Sequence, residues 1–99
     1  MRIVAVTACT TGIAHTYMAA EQLERAAKAL GHQIKVETQG SLGIENRLSE
    51  ADIRSADLAI FASDIEIEGR DRFQGVRVVE FPVREAARNA AGLLAQAAR

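Results

Sequence analysis

Residues 2–30 read RIVAVTACTTGIAHTYMAAEQLERAAKAL, and this stretch joins a short apolar run to an alanine-rich pattern. The run Ile3–Thr7 has the length and the continuous apolar character of a strand that is buried on both faces of a parallel sheet. The segment from Ala14 to Leu30 contains no proline, and its apolar residues recur at helical spacing. The sequence therefore predicts a buried strand, a turn around Cys9 and a long helix.

The rest of the chain continues this alternation of strands and helices. A short helix is predicted near Ser49 and a last helix after Pro82, and further strands are predicted at Gln33–Thr38, Leu58–Ala62 and Val76–Phe81. Strands that alternate with helices indicate a parallel sheet with helices on both faces. We expect an α/β fold with a small, open, four-stranded, mainly parallel sheet, in one domain over residues 1–99. That domain is either a free protein or one part of a longer chain.

Composition and charge exclude several classes of function. The 99 residues carry 12 basic and 13 acidic side chains, for a net charge of −1, and no basic run is present, so we expect no nucleic-acid partner. No apolar run approaches the roughly 20 residues that cross a bilayer, so we expect no direct membrane insertion. A single cysteine rules out an internal disulfide and a multi-cysteine metal site. We therefore expect a cytoplasmic protein with no metal and no cofactor.

Cys9 is the only cysteine of the chain, and it lies where the first predicted strand turns into the first predicted helix. Such a turn gathers backbone N–H groups and the positive end of a helix dipole. It binds a phosphate dianion and favours a thiolate over a thiol. A nucleophile in an anion site indicates phosphoryl chemistry on sulfur, whereas the alternative is a small buried apolar side chain.

The residues that follow Cys9 fit a phosphate site and also fit simpler roles. Thr10, Thr11 and Gly12 are typical of a turn with a helix cap, and also of a loop that curls around an oxyanion. His15 is either a solvent-exposed residue at the helix start or a positive charge that supports the thiolate or the phosphate. Thr16 is in a position to donate its hydroxyl to the same anion.

Other polar residues follow the second and third predicted strands. In parallel sheets the carboxyl ends of the strands meet at one edge, where ligands bind. We therefore expect the loop with Gln39, Gly40 and Ser41 to lie near Cys9, together with Asp64, as the rim of the site or as part of a docking surface. Asp64 is a turn former, a residue that orients a partner, or a base.

Residues 9–16, CTTGIAHT, strongly resemble the signature Cys-Pro-Thr-Gly-Ile-Ala-His-Thr of the enzyme IIB domain of fructose-specific phosphoenolpyruvate-dependent sugar phosphotransferase systems. Residues 36–46, VETQGSLGIEN, are similar to the pattern that follows the second strand in that family. Residues 57–64, with Arg72 and Phe73 downstream, add a third similar stretch. The resemblance covers the chain nearly from end to end.

The resemblance implies a flavodoxin-like or low-molecular-weight-phosphatase-like domain that carries phosphate on Cys9. Members of the family accept a phosphoryl group from a phosphohistidine on a IIA domain, hold it on cysteine, and pass it to a sugar bound in a membrane IIC domain. They work in the cytoplasm, at the inner face of the membrane. The phosphate-binding residues that the motif implies are Thr10, Thr11, Gly12, Ile13, Ala14, His15 and Thr16.

Transfer between two protein partners implies that the surroundings of Cys9 form a docking surface and not a deep pocket. Ile13 and Tyr17, near the start of the first predicted helix, are candidates for the apolar part of that surface. The alternative for Tyr17 is a place in the core.

Two positions of the Cys9 segment bear on what the domain does. Thr10 stands where the family usually has proline, and this restores a backbone N–H and loosens the loop. The main alternative function is that of a cysteine-dependent low-molecular-weight phosphatase or an arsenate-reductase-like enzyme, whose loop reads Cys-x₅-Arg. Here His15 occupies the arginine position. Without a bidentate arginine clamp we expect poor hydrolysis of phosphomonoesters.

Overall fold

The computed structural model describes residues 1–9, 13–40 and 43–98, except for the side chain of Ile13. None of the helices within these ranges is both long and apolar enough to cross a membrane. In chain order the elements are β1 (Arg2–Ala8), α1 (Ile13–Ala29), β2 (Gln33–Gly40), β3 (Gly43–Glu45), α2 (Glu50–Arg54), β4 (Leu58–Ser63), a 3₁₀ helix (Arg70–Phe73), β5 (Val78–Phe81) and α3 (Val83–Ala97).

The strands form one open sheet in the order β3-β2-β1-β4-β5. β1 pairs in parallel with β2 on one side and with β4 on the other, and β5 pairs in parallel with β4. The chain therefore moves away from β1 in one direction through β2 and then in the opposite direction through β4 and β5. This reversal places a crevice at the carboxyl ends of β1 and β4, which is where open parallel sheets bind ligands.

The prediction of an open, mainly parallel α/β sheet is confirmed, but the prediction of four strands is wrong. The fifth strand, β3, is three residues long and pairs antiparallel with the end of β2, with Gly40 opposite Gly43. Gly43 has a φ of 92°, a conformation that favours glycine. So short a strand leaves no alternating pattern in the sequence. The last strand begins at Val78 and not at Val76.

Both faces of the sheet are buried, and they pack against different helices. On β1, Ile3 and Ala5 belong to the cluster with α1 and α3, whereas Val4 and Val6 belong to the cluster with α2 and the 3₁₀ helix. The predicted helices on both faces are therefore confirmed, and β1 reads as a continuous apolar run because alternate residues serve two cores. The buried faces of α1 and α3, which pack against each other, are rich in alanine.

The predicted short helix near Ser49 is present as α2, and a capping box fixes its start. The Asp52 N–H donates to Ser49 Oγ, and the Ser49 N–H donates to Asp52 Oδ2, each at 3.0 Å. The Ser49 N–H and the Lys35 ammonium group, 3.0 Å from Asp52 Oδ1, lower the pKa of Asp52 to about 2. Ile53 of this helix is buried in the same cluster as Val4 and Val6 of β1, so the cap helps to position α2 against that face of the sheet.

Candidate functional site

Cys9 lies just beyond β1, at the carboxyl edge of the sheet. Its side chain belongs to the buried cluster between the sheet and helices α1 and α3, and the residue is only 8% exposed. Across the crevice, the sulfur is 3.8 Å from Asp64 Oδ2, with the thiol as donor. β4 brings Asp64 to this place, because Ser63 pairs with Ala8 and the Asp64 N–H donates to the Ala8 carbonyl at 3.3 Å.

Asp64 also contacts the start of α3. Its Oδ1 accepts the N–H of Val83, the first residue of α3, at 3.2 Å. Pro82, the N-cap residue of that helix, offers no side-chain hydrogen bond, so Asp64 supplies the cap from another part of the chain. The carboxylate therefore connects the thiol with a helix terminus. The sequence predicted the place of Asp64, but the contact with α3 has no signal in the local pattern.

The first turns of α1 present side chains in three different environments. His15 is partly exposed and lines an open groove of about 550 Å³ between α1 and α3, together with Met18. Tyr17 is half-buried, and its hydroxyl donates to Glu45 on β3. Met18 is 51% exposed and extends the apolar surface beside His15, although it was not among the predicted site residues. Ala14 is exposed.

Three threonine hydroxyls are buried close to the carboxyl edge. Thr16 on α1 and Thr7 on β1 are fully buried, and Thr38 on β2 is 3% exposed. Thr7 and Thr38 are neighbours in the parallel register, and Thr7 lies two residues before Cys9. Within residues 1–9, 13–40 and 43–98, none of the three hydroxyls has a hydrogen-bond partner. Buried hydroxyls usually have hydrogen-bond partners. These three therefore remain available as donors to a ligand beside the crevice.

A buried ion pair lies on the opposite face of the sheet. Glu37 on β2 is fully buried, and Arg72 binds both of its carboxylate oxygens at 2.9 Å. The same carboxylate accepts the Leu48 N–H at 2.9 Å and the Gln39 side-chain amide at 2.7 Å. Burial would raise the pKa of Glu37, but the hydrogen bonds from Arg72, Gln39 and Leu48 hold that pKa below its ordinary value of 4.5. Glu37 is thus a buried carboxylate with four hydrogen bonds.

This ion pair also anchors the segment that follows Asp64. The Gln39 amide donates to the Glu68 carbonyl at 3.0 Å and accepts the Glu68 N–H at 2.8 Å. Arg72 donates to the carbonyls of Glu68 and Gly69, at 3.1 and 2.9 Å. The Gln39 side chain, predicted from the sequence to lie on the rim of the site or on a docking surface, therefore holds the backbone of Glu68 against β2. Neither Glu37 nor Arg72 was among the predicted site residues.

The depressed pKa of Glu37 predicts that stability falls in acid. Because the folded-state pKa lies below the unfolded one, the contribution of Glu37 is complete above about pH 4.5 and is lost as the pH falls through the folded-state value. We expect the urea midpoint to decrease as the pH falls below about 4.5, and a Glu37→Gln chain to show a smaller decrease. If both chains lost the same amount of stability in acid, the loss would come from other carboxylates, such as Asp52.

Several predicted site residues belong to the parts of the chain that the structure does not describe. Thr10, Thr11, Gly12 and Ser41 lie outside the described residues, as does the side chain of Ile13. Gly40 ends β2 and pairs with Gly43 of β3. Among the described residues, no group of three or more histidine, cysteine or acidic side chains is arranged to hold a metal ion.

Comparison with known proteins identifies the family. A family model described as "PTS system, Lactose/Cellobiose specific IIB subunit" matches residues 4–96. The chain belongs to the IIB family of phosphotransferase systems. This IIB chain is 50% identical over 95 residues to the "PTS system fructose-like EIIB component 2" of Escherichia coli (strain K12), a match that covers 96% of this chain and 90% of the relative. The family resemblance found in the sequence is thus confirmed.

A longer relative and a solved structure agree with this assignment. The "Fructose-like PTS system EIIBC component" of Escherichia coli (strain K12) is 54% identical over 91 residues, which are 90% of this IIB chain and 19% of the relative. The crystal structure of a domain from a fructose-specific IIABC component of Borrelia burgdorferi superposes with a TM-score of 0.91 at 46% identity. That match covers 96% of this chain and 90% of the other.

Proposed function

We propose that this IIB chain is the phosphoryl carrier of a fructose-type sugar phosphotransferase system and that Cys9 carries the phosphate. The observation that supports this most directly is the position of Cys9, in the crevice between the carboxyl ends of β1 and β4. Ligands bind to open parallel sheets at this point. The relatives with the printed name "fructose-like" support the fructose-type assignment.

The proposed chemistry uses sulfur as a temporary phosphate acceptor. The Cys9 sulfur attacks the phosphorus of a phosphohistidine, the phosphorus–nitrogen bond breaks, and a sugar hydroxyl later displaces the sulfur. The start of α1 supplies a positive dipole end for the transferred oxygens. Thr16 is one of the residues to which the motif assigns phosphate binding, and its hydroxyl is buried in the first turns of α1.

The proposed partners are a phosphorylated IIA domain as donor and a membrane IIC domain with bound sugar as acceptor. Relatives named EIIBC and EIIABC components support a close association of this domain type with its partners. The chain then works in the cytoplasm, at the inner face of the membrane. Cys9 is 8% exposed, so the proposed docking surface consists mainly of the residues around it. The exposed side chain of Met18, next to His15, extends the proposed docking surface beyond Tyr17.

The proposed function is tested by phosphorylating the chain with a phosphoenolpyruvate-driven cascade that ends in IIA. We expect one phosphoryl group, and peptide mass spectrometry should map it to Cys9. A phosphoryl group on His15, or none at all, would contradict the proposal. In a parallel assay, hydrolysis of p-nitrophenyl phosphate should stay at background, because no arginine occupies position 15. Hydrolysis that depends on Cys9 would favour the phosphatase alternative.

A further inference from the structure

We propose that Asp64 takes the thiol proton of Cys9 when the sulfur attacks the donor phosphorus. The assignment rests on the proposed function and adds a proton acceptor to it. Asp64 Oδ2 lies 3.8 Å from the Cys9 sulfur, and the thiol donates toward it. Sulfur forms long hydrogen bonds, and catalytic hydrogen bonds often shorten only when the reaction partner is bound.

The second carboxylate oxygen keeps Asp64 in this orientation. Oδ1 accepts the Val83 N–H at 3.2 Å, and the Asp64 backbone N–H donates to Ala8 at 3.3 Å. One oxygen is therefore held by α3 while the other faces the sulfur. A role as a helix cap explains the hydrogen bond of Oδ1 to Val83. It does not explain why Oδ2 lies beside the Cys9 thiol.

Charge gives a second reason why this carboxylate has to gain a proton. An ionised carboxylate this close to the sulfur would repel the dianionic phosphoryl group that arrives there. After Asp64 takes the thiol proton it is neutral, and it becomes a donor to a phosphoryl oxygen. A single proton transfer thus activates the nucleophile and removes the repulsion.

The proton and electron pairs balance over the two transfers. In the first, the S–H bond breaks, the proton moves to Asp64 Oδ2, and the sulfur electron pair forms the S–P bond. The pair of the broken P–N bond stays on the donor histidine nitrogen, which takes a proton from solvent. In the second, the sugar oxygen attacks phosphorus and its proton leaves to solvent, while the S–P pair returns to sulfur. Asp64 then gives its proton back to Cys9.

The variant Asp64→Asn separates the two roles of this side chain. Asparagine keeps an oxygen that accepts the Val83 N–H but cannot take a proton. In single-turnover uptake from phosphorylated IIA, we expect the maximal rate of Asp64→Asn to be about a hundredfold lower or more. The half-saturating donor concentration and the melting temperature should stay close to those of the wild-type chain. Glu66→Gln removes one negative charge from the same loop and should keep the wild-type rate, because the Glu66 carboxylate pairs with Arg70 at 3.8 Å.

The outcomes distinguish this assignment from the proposed function. If Cys9 of the wild-type chain takes up phosphate and Asp64→Asn does so at an equal or higher rate, Asp64 is not the proton acceptor. If the wild-type chain takes no phosphate on Cys9, the proposed function fails and the assignment falls with it. An Asp64→Ala chain that acetate or formate accelerates, while the wild-type chain stays unaffected, would support the assignment independently of the helix cap.

Discussion

The Cys9→Ser chain should stay folded and take up phosphate from phosphorylated IIA at least about a thousandfold more slowly than the wild-type chain. A serine hydroxyl is scarcely ionised at neutral pH, so its oxygen attacks phosphorus far less readily than a thiolate sulfur does. Serine is also close to cysteine in size and fills the same place between the sheet, α1 and α3. Rapid-quench measurement of labelled phosphate on the chain gives both rates.

A Cys9→Ala chain and thermal unfolding separate chemistry from folding. Alanine offers no nucleophile, so its phosphate uptake should vanish, while both variants should unfold cooperatively and close to the wild-type temperature. A serine chain with the wild-type rate would contradict the assignment of Cys9, and phosphate uptake by the alanine chain would show that another residue accepts the phosphate. His15 is then the next nucleophile to test, because it lies in the first turns of α1.

The position of the candidate site could be predicted because local patterns determine it. The continuous apolar run of β1 and the helical spacing of α1 place Cys9 on a strand-to-helix turn, and the parallel pairing brings the ends of β2 and β4 to the same edge. Asp64 was expected at this edge for the same reason. Its contacts with the Cys9 thiol and the Val83 N–H depend on where α3 begins in space, and local sequence does not contain that information.

The contacts that were missed depend on residues far apart in the chain. β3 is too short for a pattern, and its pairing with β2 comes from the tertiary structure. Glu37 alternates with apolar neighbours and therefore reads as a residue that faces solvent, yet it is fully buried. It tolerates burial because Arg72, which lies 35 positions later, binds both of its oxygens. Only the folded chain shows this pairing.

The Arg72→Met chain should lose about 3–5 kcal/mol of the free energy of unfolding. Methionine keeps much of the apolar stem of arginine but removes the two hydrogen bonds to Glu37, each 2.9 Å long. Glu37 is then a carboxylate with no exposed surface and no cation beside it, and such a group is costly in a protein interior. Arg72 also donates to the backbone of Glu68 and Gly69, so the same change loosens the segment that follows Asp64. Urea unfolding at neutral pH, monitored by circular dichroism, measures the loss of unfolding free energy.

Arg70→Met is the matched control, because Arg70 also binds a glutamate through two hydrogen bonds. Those bonds join Arg70 to Glu80 at 2.9 and 3.1 Å, but the two side chains are 46% and 58% exposed. Water screens such a pair, so Arg70→Met should cost much less stability than Arg72→Met. Adding Glu37→Gln to Arg72→Met should restore part of the lost stability, because no buried charge then lacks a partner. Equal, small losses in the Arg70 and Arg72 variants would show that water reaches Glu37 in the folded chain and that its burial contributes little to the arginine's effect.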